Sequence, residues 1–317
     1  MAELAVDRAR VLGADHPDTL WSRYQHAWNL GRAGEHAESA RLLAEVAVDR
    51  ARVLGADHPD TLLSRYQHAW NLGEAGEHAE AARLLAEVAA DQTRVLGANH
   101  PDTLWSRHNY AWSLGKAGER AESARLLAEV AADQTRALGA NHPDTLWSRH
   151  QHAWSLGEMG EYAESARLLA KVAVDRARAL GADHPETLRS RHQHAWNLGK
   201  AGEHAEAARL LAKVAADRAR ALGANHPDTL WSRHQHAWNL GKAGEYAESA
   251  RLLAKVAADQ TRALGANHPD TLWSRHQHAW NLGEMGEHAE AARLLAKVAA
   301  DRARALGANH PDTLWSR

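Results

Sequence analysis

Histidine and tryptophan carry most of the chemical potential of this sequence, with 23 and 13 copies among 317 residues, while phenylalanine and cysteine are absent. Imidazoles bind metals or move protons, so their spacing is the first test. Pairs such as His150/His152 and His234/His236 lie two residues apart. On a helix that separation turns the rings about 200° away from each other, so one ion cannot be shared. The His-Glu-x-x-His pattern of zinc proteases does not occur. Histidines at the same place in successive repeats would stand about 8–10 Å apart, the spacing of packed helices. No metal site is expected, and the histidine of each His-Pro pair reads as a junction residue. There is also no Gly-x-x-x-x-Gly-Lys-Ser/Thr phosphate loop and no Gly-x-Ser-x-Gly turn. Carboxylate pairs such as Glu35/Glu38 fit a solvated helix face. Without cysteine there are neither disulfides nor thiolates. The expectation is a protein with no catalytic centre and no cofactor.

The aromatic residues form a different constellation. Trp28, Trp70, Trp112, Trp154, Trp196, Trp238 and Trp280 recur at a fixed interval. One or two turns before them stand Trp21 and Tyr24, then Tyr66, Trp105/His108, Trp147/His150, His192, Trp231/His234 and Trp273/His276. Spacings of three, four and seven place each trio on one helix face. Such a stripe can be a ladder for an extended peptide, a set of half-buried rings with one edge exposed, or the core between repeats. Leu63 and Arg189 interrupt the first row of Trp; leucine suits any of these settings, arginine suits a core badly.

The elements that position these residues are written in the punctuation. His-Pro occurs at 16, 58, 100, 142, 184, 226, 268 and 310, a step of 42 residues, and these are all the prolines present. The glycines share the period, as expected of stacked supersecondary units. Pro17 suits the first turn of a helix, and Asp18 favours its positive end. A first helix is expected over 17–30, a turn flanked by Gly31 and Gly34, and a second helix over 35–54, ended by Gly55. In the second helix His36, Ala40, Leu43, Ala47 and Leu54 share a broad face with Leu42 and Val46, opposite Glu35, Glu38, Arg41, Glu45, Asp49 and Arg52. One hairpin cannot bury such a face alone. The fold expected is an all-α solenoid of antiparallel helix hairpins, one continuous body over 1–317. Its full repeats are 15–56, 57–98, 99–140, 141–182, 183–224, 225–266 and 267–308, with partial units 1–14 and 309–317.

The run from Gly34, Gly-Glu-His-Ala-Glu-Ser-Ala-Arg-Leu-Leu-Ala, resembles the tetratricopeptide repeat, and its copy at Gly76-Glu77-His78-Ala79-Glu80-Ala81-Ala82 is closer still to the family signature. Tyr162 and Tyr246 supply the family's aromatic residue itself. The junction Leu-Gly-Ala-Asp-His-Pro-Asp-Thr-Leu and the long period are similar to the 42-residue subclass of kinesin light chains and actinobacterial signalling proteins. The resemblance implies a right-handed superhelix whose first helices line a concave groove. It therefore implies that Trp21, Tyr24, Trp28, Tyr66, Trp70, Trp105, His108, Trp112, Trp147, His150, Trp154, His192, Trp196, Trp231, His234, Trp238, Trp273, His276 and Trp280 face a bound peptide. Two departures stand out: the family usually has Leu where this chain has His26, His68, Tyr110, His152, His194, His236 and His278, and an apolar residue where it has Arg23 and its copies. If those histidines are buried, their charged form is disfavoured and acid should loosen the fold.

The function expected is a protein- or peptide-binding scaffold or sensor segment, its partner an extended segment containing Arg or Pro, which indoles attract. A formal net charge of −2 argues against nucleic acid. No apolar run is long enough to span a bilayer, and the N-terminus lacks a signal peptide's apolar stretch, so neither a membrane nor secretion is expected and the cytoplasm is. One stripe of the second helices reads Glu45, Glu87, Glu129, then Lys171, Lys213, Lys255, Lys297, which would bias how a charged partner lies. Capping repeats are missing from both ends, as in a segment of a longer array. The alternative is a structural array that self-assembles head to tail into a fibre or ring.

Overall fold

A computed structural model describes residues 2–307, 310, 311 and 313. These residues form fifteen α-helices and no strand. A lone α1 (Ala2–Leu12) precedes the other helices, most of which pair as hairpins. The hairpins are α2 (Pro17–Arg32) with α3 (His36–Leu54), α4 (Pro59–Glu74) with α5 (His78–Leu96) and α6 (Pro101–Ala117) with α7 (Arg120–Leu138), followed in the chain by α8 (Pro143–Glu158) and α9 (Tyr162–Leu180). They continue with α10 (Pro185–Lys200) and α11 (His204–Leu222), α12 (Pro227–Lys242) and α13 (Tyr246–Leu264), and α14 (Pro269–Glu284) and α15 (His288–Leu306). The expected partial unit 309–317 lies largely outside the described residues. The chain divides into two compact units, 1–160 and 161–317. Within each, successive helices pack as neighbours and the first helices of adjacent hairpins touch. No helix among the described residues is long and apolar enough to cross a membrane.

The His-Pro pair starts each first helix in a specific way. Proline pushes His16 into extended backbone, φ −66° and ψ 137°. From there its Nδ1 accepts the backbone N–H of Asp18 at 3.2 Å, a side-chain cap on an otherwise unpaired donor. The same cap recurs at His58, His100, His142, His184, His226 and His268. These rings are junction residues because the helix start uses their lone pair.

The turn corrects one expectation. Gly34 has φ +91°, the conformation glycine supplies there. Gly31 instead lies inside α2, just before its end. A Cβ at Gly31 would come within 2.5 Å of Asn71 Oδ1 and 3.0 Å of Ser39 Oγ. The missing side chain lets α2 approach both its own partner and the next hairpin.

Small residues fill the interior: Leu20, Ala27, Ala40, Leu43 and Val46 in the first repeat, and their copies after it. Hydroxyls join the packed surfaces, as where Ser39 Oγ donates to the carbonyl of Ala27 at 2.7 Å. The polar departures from the family have partners. Arg23 pairs with Asp49 at 2.6 Å, Arg65 with Asp91 at 2.6 Å and Arg107 with Asp133 at 2.7 Å, each tying the two helices of one hairpin. His68 is half-buried, with Nδ1 2.8 Å from the carbonyl of Ala40 in the preceding repeat.

Candidate functional site

The first helices carry two rows of indoles. In the first row, each ring stacks on the residue three positions later: Trp21 on Tyr24 at 5.5 Å, Trp105 on His108 at 5.2 Å, Trp147 on His150 at 6.3 Å, Trp231 on His234 at 5.6 Å and Trp273 on His276 at 6.2 Å between ring centroids. Trp21 is 45% exposed and the other four are half-buried. The residues beneath them are not surface at all. Tyr24, His108, His150, His192, His234 and His276 are buried, the most exposed of them at 8%. The expectation that these six face a peptide is therefore corrected: all but His192 stack under an indole, and His108, His192 and His234 reach serines of the next hairpin. Only Tyr66 in this column is half-buried.

Position explains their burial. The column faces the next hairpin, where His108 Nδ1 lies 2.7 Å from Ser148 Oγ, His192 Nδ1 3.1 Å from Ser232 Oγ and His234 Nδ1 2.7 Å from Ser274 Oγ. Loss of water disfavours the imidazolium. Burial pushes His108 and His234 down to about 4. It brings His192 to about 3, with Arg218 adding to the effect, and His276 to about 4 beside Arg302. A second histidine column stands at the family's Leu position. Burial lowers His194, His236 and His278, and Glu206, Glu248 and Glu290 oppose it.

The second row is half-buried from Trp28 through Trp70, Trp112, Trp154, Trp196 and Trp238, and Trp280 is 52% exposed. Many of these ring faces already have a cation. Arg32 lies 5.0 Å from the Trp28 ring, Lys200 5.0 Å from Trp196 and Lys242 5.6 Å from Trp238. Lys116 serves two neighbours, Trp112 at 5.5 Å and Trp154 at 5.2 Å. Histidines of the second helices meet ring edges: His36 with Trp70 at 5.9 Å and His204 with Trp238 at 5.9 Å. Of the three arrangements open to the stripe, all the rings but the exposed Trp21 and Trp280 adopt the half-buried one. Between Trp238 and Trp280 a hollow of about 210 Å³ is lined by Gln277, Lys242, Tyr246 and Glu284.

One polar column has no counterpart among the residues singled out by sequence. Arg50 is buried at 2% exposure, and its Nη1 donates to the carbonyl of Asp60 at 2.9 Å and to Ser64 Oγ at 2.9 Å. Its guanidinium lies 4.9 Å from the Tyr24 ring centre. Arg218 repeats this with Asp228 and Ser232. The signal was present: Arg50 stands three and four residues after Ala47 and Val46, on the apolar face. Gln92, Gln134 and Gln260 take the same place in other repeats and are buried too. Among the described residues no three His, Asp or Glu side chains are grouped to hold a metal ion.

A tetratricopeptide repeat profile matches residues 19–60, 61–102, 103–144, 145–186 and 187–228, and a second profile of the same description matches 239–302. Comparison with curated proteins finds no match. Among solved structures, the nearly identical TPR-like repeats of a Podosopora anserina kinesin light chain are 33% identical, cover 65% of this chain and 98% of their own, and superpose with a TM-score of 0.60. A variant form of the same repeats is 34% identical, with 65% and 97% coverage and a TM-score of 0.59. BtubC from P. vanneervenii, at 13% identity, covers 71% of this chain and 91% of its own with a TM-score of 0.60, a likeness of fold alone.

Proposed function

We propose, for a chain that belongs to the tetratricopeptide repeat family, that it binds an extended protein segment along the indole-bearing face of its first helices and performs no chemistry there. The family is one of repeat scaffolds typical of protein–protein interaction. The observation that carries the finer reading is the pair of indole rows, seven residues apart on one face, half-buried in repeat after repeat. A fully solvated indole orders poorly, and a fully buried one meets no partner. A half-buried ring held by His108 or His234 is preorganised, which lowers the cost of binding.

The ring environments refine the partner. Faces already covered by Arg32, Lys116, Lys200 and Lys242 leave little for an incoming cation. Proline rings and apolar side chains suit the exposed edges, and carboxylates would pair with the covering cations. The test is a random-peptide display selection followed by the double substitution Trp154→Ala and Trp196→Ala. Selected peptides should lose at least tenfold in affinity while helical circular dichroism stays. A double variant that binds equally well, or one that unfolds, overturns the groove in favour of inter-repeat packing.

A further inference from the structure

The second repeat differs from the first at two neighbouring places and keeps a third, and together they open one space. Leu63 stands where the first repeat has Trp21, and Gln92 where it has Arg50, while the Tyr24 position keeps a tyrosine, Tyr66. A hollow of about 480 Å³ results, lined by Leu62, Leu63, Tyr66, Gln92, Trp105 and Ser106, with Asp102 also on its wall.

Two buried polar atoms of that hollow lack protein partners. In the first repeat the Arg50 guanidinium sits against the tyrosine ring and donates to the Asp60 carbonyl and to Ser64 Oγ. In the second repeat the matching atoms belong to Tyr66, Asp102 and Ser106. Gln92 is too short to copy Arg50, and Ser106 Oγ and Gln92 Oε1 are buried with no hydrogen-bond partner. The glutamine oxygens of Gln134 and Gln260 are buried without a partner as well, but in those repeats the facing serines Ser148 and Ser274 are bonded by His108 and His234, so the second repeat is set apart by its unpaired Ser106. Tyr66 makes no such bond; its hydroxyl lies beside Asn109 and accepts from Nδ2 at 3.1 Å. Tyrosine with glutamine thus leaves the facing serine without a partner.

We infer that this hollow receives an arginine side chain of the bound segment, its guanidinium taking the place that Arg50 holds in the first repeat. The inference rests on the reading that an extended segment lies along this face. Three features select arginine. The unpaired Gln92 Oε1 and the Ser106 oxygen call for a planar group with several N–H donors, which a guanidinium is. Tyr66 and Trp105 offer ring faces and edges that a weakly hydrated cation stacks on. The exposed Asp102 carboxylate adds negative charge beside the hollow, as Asp60 does beside Arg50.

The probe is the blocked tripeptide acetyl-Gly-Arg-Gly-amide, with its neutral citrulline isostere as control, titrated into the full chain. Binding is followed by the indole N–H resonance of Trp105, identified with Trp105→Phe. The arginine peptide should shift that signal saturably and bind at least tenfold more tightly than citrulline. Gln92→Arg, which supplies the guanidinium in cis, should abolish the shift and raise Tm. Leu63→Trp, which refills the missing rung, should weaken binding at least tenfold and serves if Gln92→Arg folds poorly. No saturable shift in the parent chain, equal binding of citrulline, or undiminished binding to a folded variant overturns the inference. The pair Trp154→Ala and Trp196→Ala should leave the tripeptide unaffected, so loss of the groove and loss of this hollow are read separately.

Discussion

The two compact units are spelled with nearly the same repeat, yet their buried columns differ in chemistry. In unit 1–160 the column beneath the first indole row begins Tyr24, Tyr66 before turning to His108 and His150. In unit 161–317 it reads His192, His234, His276. Tyrosine stays neutral across the ordinary pH range, and burial pushes Tyr24 and Tyr66 upward, further from ionising. Buried histidine must stay neutral to remain folded. Unit 161–317 therefore holds three buried histidines lowered in this way, His192, His234 and His276, where unit 1–160 has tyrosine twice and a lowered His108.

That difference gives the largest expected effect. A histidine whose folded pKa is lowered to about 4, against an unfolded 6.5, takes up protons only on unfolding between those values. The stability of the neutral folded form is full above pH about 6.5 and is lost as pH falls toward the folded pKa. At pH 5 each such group costs about 2 kcal/mol relative to neutral pH. Hydrogen exchange corrected for intrinsic rate should show residues 161–307 losing protection before residues 2–160 as pH drops from 7.5 to 5. Equal loss in both units would break the comparison.

A smaller effect should follow from moving one residue between the units. His192→Tyr recreates beside Arg218 the pairing of Tyr24 with Arg50. It should remove roughly the share of one histidine, about 2 kcal/mol of acid loss at pH 5, with little change at pH 8. Thermal melts at the two pH values measure it, and an unchanged difference between them would show that burial at this site does not set the pH response.

The smallest effect concerns the outer stripe. Arg41 bridges Glu38 and Glu45, each at 2.6 Å, and Arg125 does the same with Glu122 and Glu129. In the other unit Arg209 pairs with Glu206, and Lys213 stands where the second carboxylate would be. Lys213→Glu should raise Tm slightly at low salt, and about 0.5 M salt should erase the gain, because exposed pairs are weak and screened. A gain that survives salt would mean packing rather than charge.

Much of this was legible in the repeat itself. Pro17, Gly34 and Gly55 punctuate helices by local backbone chemistry, and a 42-residue period repeated across the chain specifies stacked hairpins. The indole rows were legible because residues three, four and seven apart share a face whatever surrounds them. The occupants of that face were misjudged: Tyr24 and Trp21 lie on one stripe, yet the former is 5% exposed and the latter 45%. Helical periodicity gives direction around one axis, while burial depends on where the next hairpin lies.

The sequence alone determined elements, turns and period, because each depends on neighbours within a few positions. Tertiary structure decided which polar side chains are interior, since that requires contacts across repeats. Arg50 meets Ser64 fourteen residues on, and His108 meets Ser148 forty residues on. It also decided that Leu63, Tyr66 and Gln92, three ordinary residues scattered along the second repeat, border one hollow. Volume left by a missing side chain exists only where the surrounding helices fail to close over it.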